Sequence, residues 1–315
     1  MSTLSETSRA VAVNAPSENP SRRLRLEKTI VIVSFLLAPT LIYFWLVLLP
    51  VIQAIYFSFY KWNGLGPMQD FIGLDNYRRL LNDGVFLRAL SNNLVIVVLS
   101  AVVQLPLALA LALLIRQNLR GRTVFRVIFF LPYVLSEVVS GVIWTFIYNP
   151  QTGLLNAVLK AVIPGFQPQG WLGEPKLVLL ALFVVISWKY FGLHLILYMA
   201  GLQNIPAELE EAALIDGASG GQVLRHVTIP LLAPTVRLTI FLSVLGALQI
   251  FDLVWVMTTG GPVNASETMA TYLYKFGFQR FALGYGSAIA VMLFVICFGF
   301  SVIYQRLVMR RDYNA

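Results

Sequence analysis

Of 315 residues, 58% are hydrophobic and 12% charged, about half the charged share of an ordinary soluble domain. That composition, with a mean hydropathy of +0.75, excludes a soluble core and predicts a bundle of segments, each with the ~20 apolar residues needed to cross a bilayer. The single cysteine, Cys297, excludes an internal disulfide or cysteine-based zinc site, and the net charge of +8 is distributed as membrane topology rather than as a nucleic-acid patch.

Residues 1–28, rich in Ser, Asn, Pro and Arg, read as a disordered tail. Ser21-Arg22-Arg23-Leu24-Arg25 has the look of an export signal, but the apolar run from Ile30 to Leu49 is too long for a signal core and no cleavage site follows. A membrane domain is expected over 29–312. Its six spans are predicted at about 30–58, 94–115, 124–148, 177–202, 236–257 and 285–307. They must be helices, because lipid offers the backbone no hydrogen-bond partners. The fold expected is all-α and polytopic. Pro39 and Pro50 predict a tilt or kink in the first span. The apolar piece Leu154–Lys160 is too short to cross and predicts a helix lying in the interface.

The basic residues orient the bundle. Fourteen of the 23 Lys and Arg fall in the tail, near 116–126, near 225–237 or at the C-terminal end; eight fall in the alternate loops, and Lys189 lies inside a span. Both termini and the 203–234 loop are therefore expected in the cytoplasm.

That loop carries the most distinctive pattern of the chain: Glu211-Ala212-Ala213, three residues, Gly217, nine residues, Val227, one residue, Ile229-Pro230. Pro206 suits a helix start, and Glu208, Glu210 and Glu211 put negative charge at its positive end. Gly217 is placed to end that helix, and a second short helix is expected at about Gly221–Val227. The spaced pattern resembles the Glu-Ala-Ala signature of permease subunits of bacterial ABC importers, with Val227 and Ile229 as conservative departures. Gly73-Leu74-Asp75-Asn76-Tyr77, Phe129-Phe130-Leu131-Pro132-Tyr133, Thr259-Gly260-Gly261-Pro262 and Gly284-Tyr285-Gly286-Ser287-Ala288 extend the resemblance to the carbohydrate-uptake branch, including the larger maltose-permease chain and the first glycerol-3-phosphate permease chain.

The resemblance implies the type I importer fold and a bacterial inner-membrane location. It implies an ATPase-coupling role for Glu211, Ala212, Ala213, Asp216, Gly217 and Pro230. It also implies a second homologous permease, an ATPase dimer that binds ATP and Mg, and an extracytoplasmic sugar-binding protein that docks near Gly260-Gly261-Pro262. The sequence has no Gly-x4-Gly-Lys-[Ser/Thr] phosphate loop, so this chain is expected to be neither an enzyme nor a cofactor binder.

A charge within a span is costly, so Glu137 and Lys189 are expected to face protein or a pathway, approaching each other across it. Tyr133 shares the Glu137 face, and Trp188 and Tyr190 flank Lys189. Carboxylate, amine, phenol and indole suit a polyhydroxylated ligand. Matching positions in the resembled family add Ile186, Ser243 and Ala247, and Gln249 and Asp252 are polar candidates near the end of the fifth span. His194 and His226 lack companion metal ligands and are expected to be structural. The competing reading is a proton-coupled carrier with Glu137, Lys189 and Asp252 as relay. A membrane-bound transferase is disfavoured, because Glu208, Glu210 and Glu211 lack the partners such chemistry uses.

Overall fold

The computed structural model describes residues 20–116 and 122–309, which contain helices and a single isolated β-bridge, Tyr60 with Phe71. Of the expected tail, residues 1–19 lie outside the described part, and from Pro20 the chain is already helical. The chain divides into a unit ending at Gln53 and a larger one from Ala54 onward.

In chain order, α1 (Pro20–Tyr43) and α2 (Leu49–Phe57) form the first apolar segment, and every side chain from Val31 to Leu48 is exposed. A short α3 (Asp75–Leu81) precedes α4 (Gly84–Leu99) and α5 (Leu105–Arg116), which form the second span. The third is the pair α6 (Arg122–Val134) and α7 (Glu137–Ile147). The amphipathic α8 (Leu154–Val162) follows where an interfacial helix was expected. Then come α9 (Val178–Gln203), the loop helices α10 (Ala207–Ile215) and α11 (Gly220–Val223), and α12 (Ile229–Gln249). The short α13 (Asp252–Thr258) and α14 (Met269–Tyr274) lead to α15 (Leu283–Leu307). Among the described residues five segments are long and apolar enough to cross a membrane, and the α6–α7 pair is the sixth if its 101° bend is one broken span.

Three prolines have a common local signature. Pro50, Pro106 and Pro230 each follow by two residues a π-helical turn, at Phe44–Leu48, Ser100–Gln104 and Leu224–Thr228. A helical proline cannot donate to the carbonyl four residues back and its ring crowds that carbonyl. In all three places that carbonyl lies inside the widened turn, so the π geometry accommodates the ring without ending the helix. The kink expected at Pro50 takes this form.

Two expected spans are interrupted. Residues 124–148 were expected to run through but bend between Val134 and Glu137, just after Pro132. The helix expected at 236–257 begins earlier and breaks at Ile250–Phe251. Side-chain amides mend the second break. Asn93 donates to the carbonyls of Ala247 (2.7 Å) and Leu248 (3.3 Å), which lack helical partners there, and accepts from the Met269 N–H (2.9 Å). Asn92 donates to the carbonyls of Ala265 and Glu267.

Small residues set the helix contacts. A Cβ on Gly192 would meet the Phe129 carbonyl oxygen at 2.1 Å, which brings α6 onto α9 backbone to backbone. Gly141 seats Val256 in the same manner, joining α7 to α13. Apolar clusters fill the rest: Leu182, Val185 and Leu253 in one layer, Ala108, Leu195 and Leu232 in a second, and Phe86, Met269 and Ile289 in a third.

Candidate functional site

The loop between the fourth and fifth spans folds as its residues dictate. Pro206 precedes the first turn of α10, which carries Glu208 and Glu210. Gly217, at φ +88°, closes it, with Ala218 N–H donating to Ala213 O (3.0 Å) and Gly217 N–H to Leu214 O (3.0 Å). That is a Schellman stop, which needs the left-handed conformation glycine supplies. Ser219 and Gln222 then cap α11. The structure places Glu211, Ala212, Asp216, Gly217 and Pro230 on the surface, with Ala213 half-buried. No residue of α10 is buried, and Leu209, Leu214 and Ile215 are exposed, Ile215 at 85%. Helix α10 thus presents an uncovered apolar and acidic surface.

One residue of this loop does more than put charge at the helix start. The Glu210 carboxylate accepts from Arg116 Nη1 (2.7 Å) at the end of α5 and from Thr228 Oγ1 (2.6 Å) at the foot of α12. Burial pushes its carboxyl up, but the Arg116 and Thr228 hydrogen bonds outweigh that and hold it below the usual carboxylate range. Helix α10 is thereby tied to two spans at once.

The intramembrane polar residues gather at the α6–α7 break. Lys189 is 3% exposed, and its ammonium donates to Leu135 O (2.5 Å) and lies 3.5 Å from the carbonyl oxygens of Pro132 and Tyr133. These carbonyls are freed by the bend, so the lysine caps a helix end whose partial charge is negative. Glu137 instead accepts from the Tyr190 hydroxyl. Among the described residues Glu137 and Lys189 make no direct salt-bridge contact, yet Glu137 lies near enough for its charge to act on the lysine, so the two charges approach each other without touching.

Tyr133 packs edge-on to Tyr190 with ring centres 6.2 Å apart, and Trp188 meets Trp144 at 5.5 Å. Asp252 begins α13 and is exposed. Ser243 is half-buried on α12, while the Gln249 amide turns to Cys297 Sγ (3.8 Å) on α15. Ile186 and Ala247, the family-matched pathway positions, are packed in the core. His194 is buried, and His226 contacts the Gln222 carbonyl. Among the described residues no cluster of three metal-ligating side chains occurs.

On the face opposite the α10 loop, Glu267 is fully buried. It pairs with Lys275 (2.5 Å) and accepts from Thr271 Oγ1 (2.9 Å). A Cβ on Gly260 would come within 2.3 Å of its Oε2, and Gly260 has φ +83°. The Gly260-Gly261-Pro262 segment, with a cis Gly261–Pro262 bond, therefore wraps a buried carboxylate. Adjacent asparagines in an apolar span were the one sequence signal for this region, since amides in lipid must find partners.

Residues 104–313 match the family model described as the inner membrane component of binding-protein-dependent transport systems. The chain belongs to that family. The permease is 36% identical over 272 residues to the probable ABC transporter permease protein YurN of Bacillus subtilis, covering 86% of this chain and 93% of that one. It is 32% identical over 293 residues to the diacetylchitobiose uptake system permease protein NgcF of Streptomyces coelicolor, covering 90% and 83%. Its fold matches a chain of the bacterial alginate ABC transporter solved with an alginate-bound periplasmic protein, with TM-score 0.78, 23% identity and coverage of 90% and 96%. The permease is thus an ABC translocation subunit of the type I fold. The proton-relay alternative has no support, because the family and the named relatives are ABC transport permeases.

Proposed function

We propose that the permease passes a carbohydrate, released by an extracytoplasmic binding protein, through a pore formed with a second permease. ATP hydrolysis by a partner ATPase pair, which binds the ATP and Mg, drives alternating access through α10. The observation that carries this is the uncovered α10 surface, presented beside Glu211 and Ala212 while Glu210 fastens its other side to α5 and α12. The named relatives include uptake systems for diacetylchitobiose, for multiple sugars and for trehalose/maltose, which supports carbohydrate as the cargo class.

In this reading Glu211 pairs with a basic group of the ATPase groove, and Ala212 and Ala213 permit close approach. Asp216, Gly217 and Pro230 fix the turn and the return into the membrane. The loop faces the cytoplasm with both termini, as the basic residues indicate. Tyr133, Glu137, Trp188, Tyr190 and Asp252 offer hydroxyl-binding groups and stacking faces to the passing sugar.

Gentle detergent purification from the native membrane, with mass spectrometry of the accompanying chains, tests the proposal. An ATPase and a second permease that are both lost with Glu211→Lys plus Gly217→Pro are the expected result. A chain that purifies without any ATPase under every mild condition overturns it.

A further inference from the structure

The loops joining the first span to the second and the fifth to the sixth lie together on the face opposite α10. Gly284 N–H donates to Trp62 O (2.9 Å), and Asn76 ties α3 to the Ser58 and Tyr60 carbonyls. Two cavities open there, of about 460 and about 450 Å³, and Arg79 lines both. Its guanidinium carbon sits 4.3 Å from the centre of the Tyr285 ring and 5.9 Å from that of Phe276. Arg280, which lines the second cavity, lies 4.4 Å over the same Phe276 ring.

Both rings are buried while both arginines are exposed. The aromatic floor lies within cation–π distance beneath each guanidinium, and both arginines remain open to solvent.

Three of the neighbouring acids are already engaged. Asp83 accepts from the Val85 and Phe86 N–H groups at the start of α4 and from the Tyr272 and Tyr285 hydroxyls. Glu267 is buried on Lys275, and Asp75 pairs with Arg78. Asp70 lines the first cavity together with Lys61 and Arg79, outside ion-pair distance of Arg79. Among the described residues neither Arg79 nor Arg280 has a carboxylate within ion-pair distance. Phe281, which lines the first cavity with Arg79, is 64% exposed, and Val263, next in sequence to the Asn264 that lines the second, is 80% exposed; both have positive φ for non-glycine residues. Stacked arginines beside exposed apolar groups on a strained rim make up the composition of a protein-docking centre rather than of a solvated loop.

We propose that Arg79 and Arg280 read carboxylate side chains of the extracytoplasmic binding protein, each taking an Asp or Glu in a forked pair while Phe281 and Val263 supply the apolar contact. The inference rests on the importer reading above and adds the residues and the charge by which that partner is seated.

The test uses the complete importer in nanodiscs, with the dissociation constant of the binding protein measured across a salt series. For wild type, affinity falls as salt rises. Arg79→Glu with Arg280→Glu weakens binding by about tenfold or more at low salt, with the gap narrowing at high salt, and Arg79→Lys with Arg280→Lys falls between. Unchanged basal ATP hydrolysis and melting temperature show that the doubly reversed complex is intact. Should it fail to assemble, the salt series on wild type still decides: an affinity indifferent to salt overturns the inference. So does an intact reversed complex that binds normally. A reversal that changes only the response to phosphatidylglycerol in the nanodisc, with the binding protein unaffected, assigns the arginines to lipid headgroups and overturns it too. A wild-type complex that no binding protein engages removes the importer reading itself.

Discussion

Glu210 and Arg116 are 94 residues apart in sequence and 2.7 Å apart in space, and their contact joins the α10 loop to the end of the second span. Because Thr228 shares the same carboxylate oxygen, a displacement of α10 pulls on α5 and α12 together. Glu210→Ala is expected to cost about 1.5–3 kcal/mol of local stability, the range for hydrogen bonds to charged groups. Transport per ATP hydrolysed should fall, while the ATPase still copurifies through Glu211. Exchanging the charges, as Glu210→Arg with Arg116→Glu, should recover part of the loss, and a double-mutant cycle on transport measures it.

The same joint is acid-sensitive. The Glu210 carboxyl in the folded protein is held below its usual range, so its stabilising effect is present above the unfolded-state value and is lost as pH falls through the folded one. Hydrogen exchange of the 207–219 amides should accelerate on acidification through that window. In Glu210→Gln that step should be missing, and an unchanged profile would show that another group titrates.

Lys189→Met leaves the Leu135 carbonyl without its partner and removes the positive charge from the end of α6. Leaving a buried polar group unsatisfied costs about 1–3 kcal/mol. The melting temperature of the purified protein should drop, and adding Glu137→Gln should not restore it, because the lysine answers to carbonyls. Restoration by the second change would mean that the cost comes from the Glu137 charge left without Lys189 rather than from the Leu135 carbonyl.

Gly260→Ala forces a methyl group onto the Glu267 carboxylate and asks alanine to adopt φ +83°. A backbone strain of this kind costs about 1–3 kcal/mol before any displacement of the carboxylate. Thermal unfolding should register it, whereas alanine at Gly246, where a Cβ meets nothing within 4 Å, should leave the transition in place.

Asn93→Leu strips hydrogen bonds from Ala247, Leu248 and Met269 together. Losses of that kind are expected to destabilise by several kcal/mol. Limited proteolysis of the 259–282 loop should reveal the loosened α12–α13 break.

What the sequence revealed and what it hid divide along the range of the interactions. The α10 helix was legible because each instruction is local, Pro206 starting it and Gly217 stopping it, whereas the Ser219 and Gln222 cap of the next helix went unread. The six apolar segments were legible from composition. The break in the third span was not, because Pro132 is equally compatible with a continuous kinked helix, and the residue that makes a break tolerable, Lys189, lies 54 positions beyond Leu135. The fifth span hid its break likewise, since Ile250-Phe251 are as apolar as their neighbours and their remedy is Asn93. The role of Glu210 needed Arg116 beside it. Charge and spacing marked Glu137 and Lys189 as consequential but could not say that one would bind a tyrosine and the other a helix end.

The capping of the third span by the fourth also has a consequence in time. A chain enters the bilayer in order of synthesis, and α6 and α7 emerge before Lys189 exists. Until then the carbonyls at their junction have only water or the translocation machinery to turn to. The third span is therefore expected to dwell at the aqueous side of the translocon until the fourth arrives, and the two to leave for lipid as a pair.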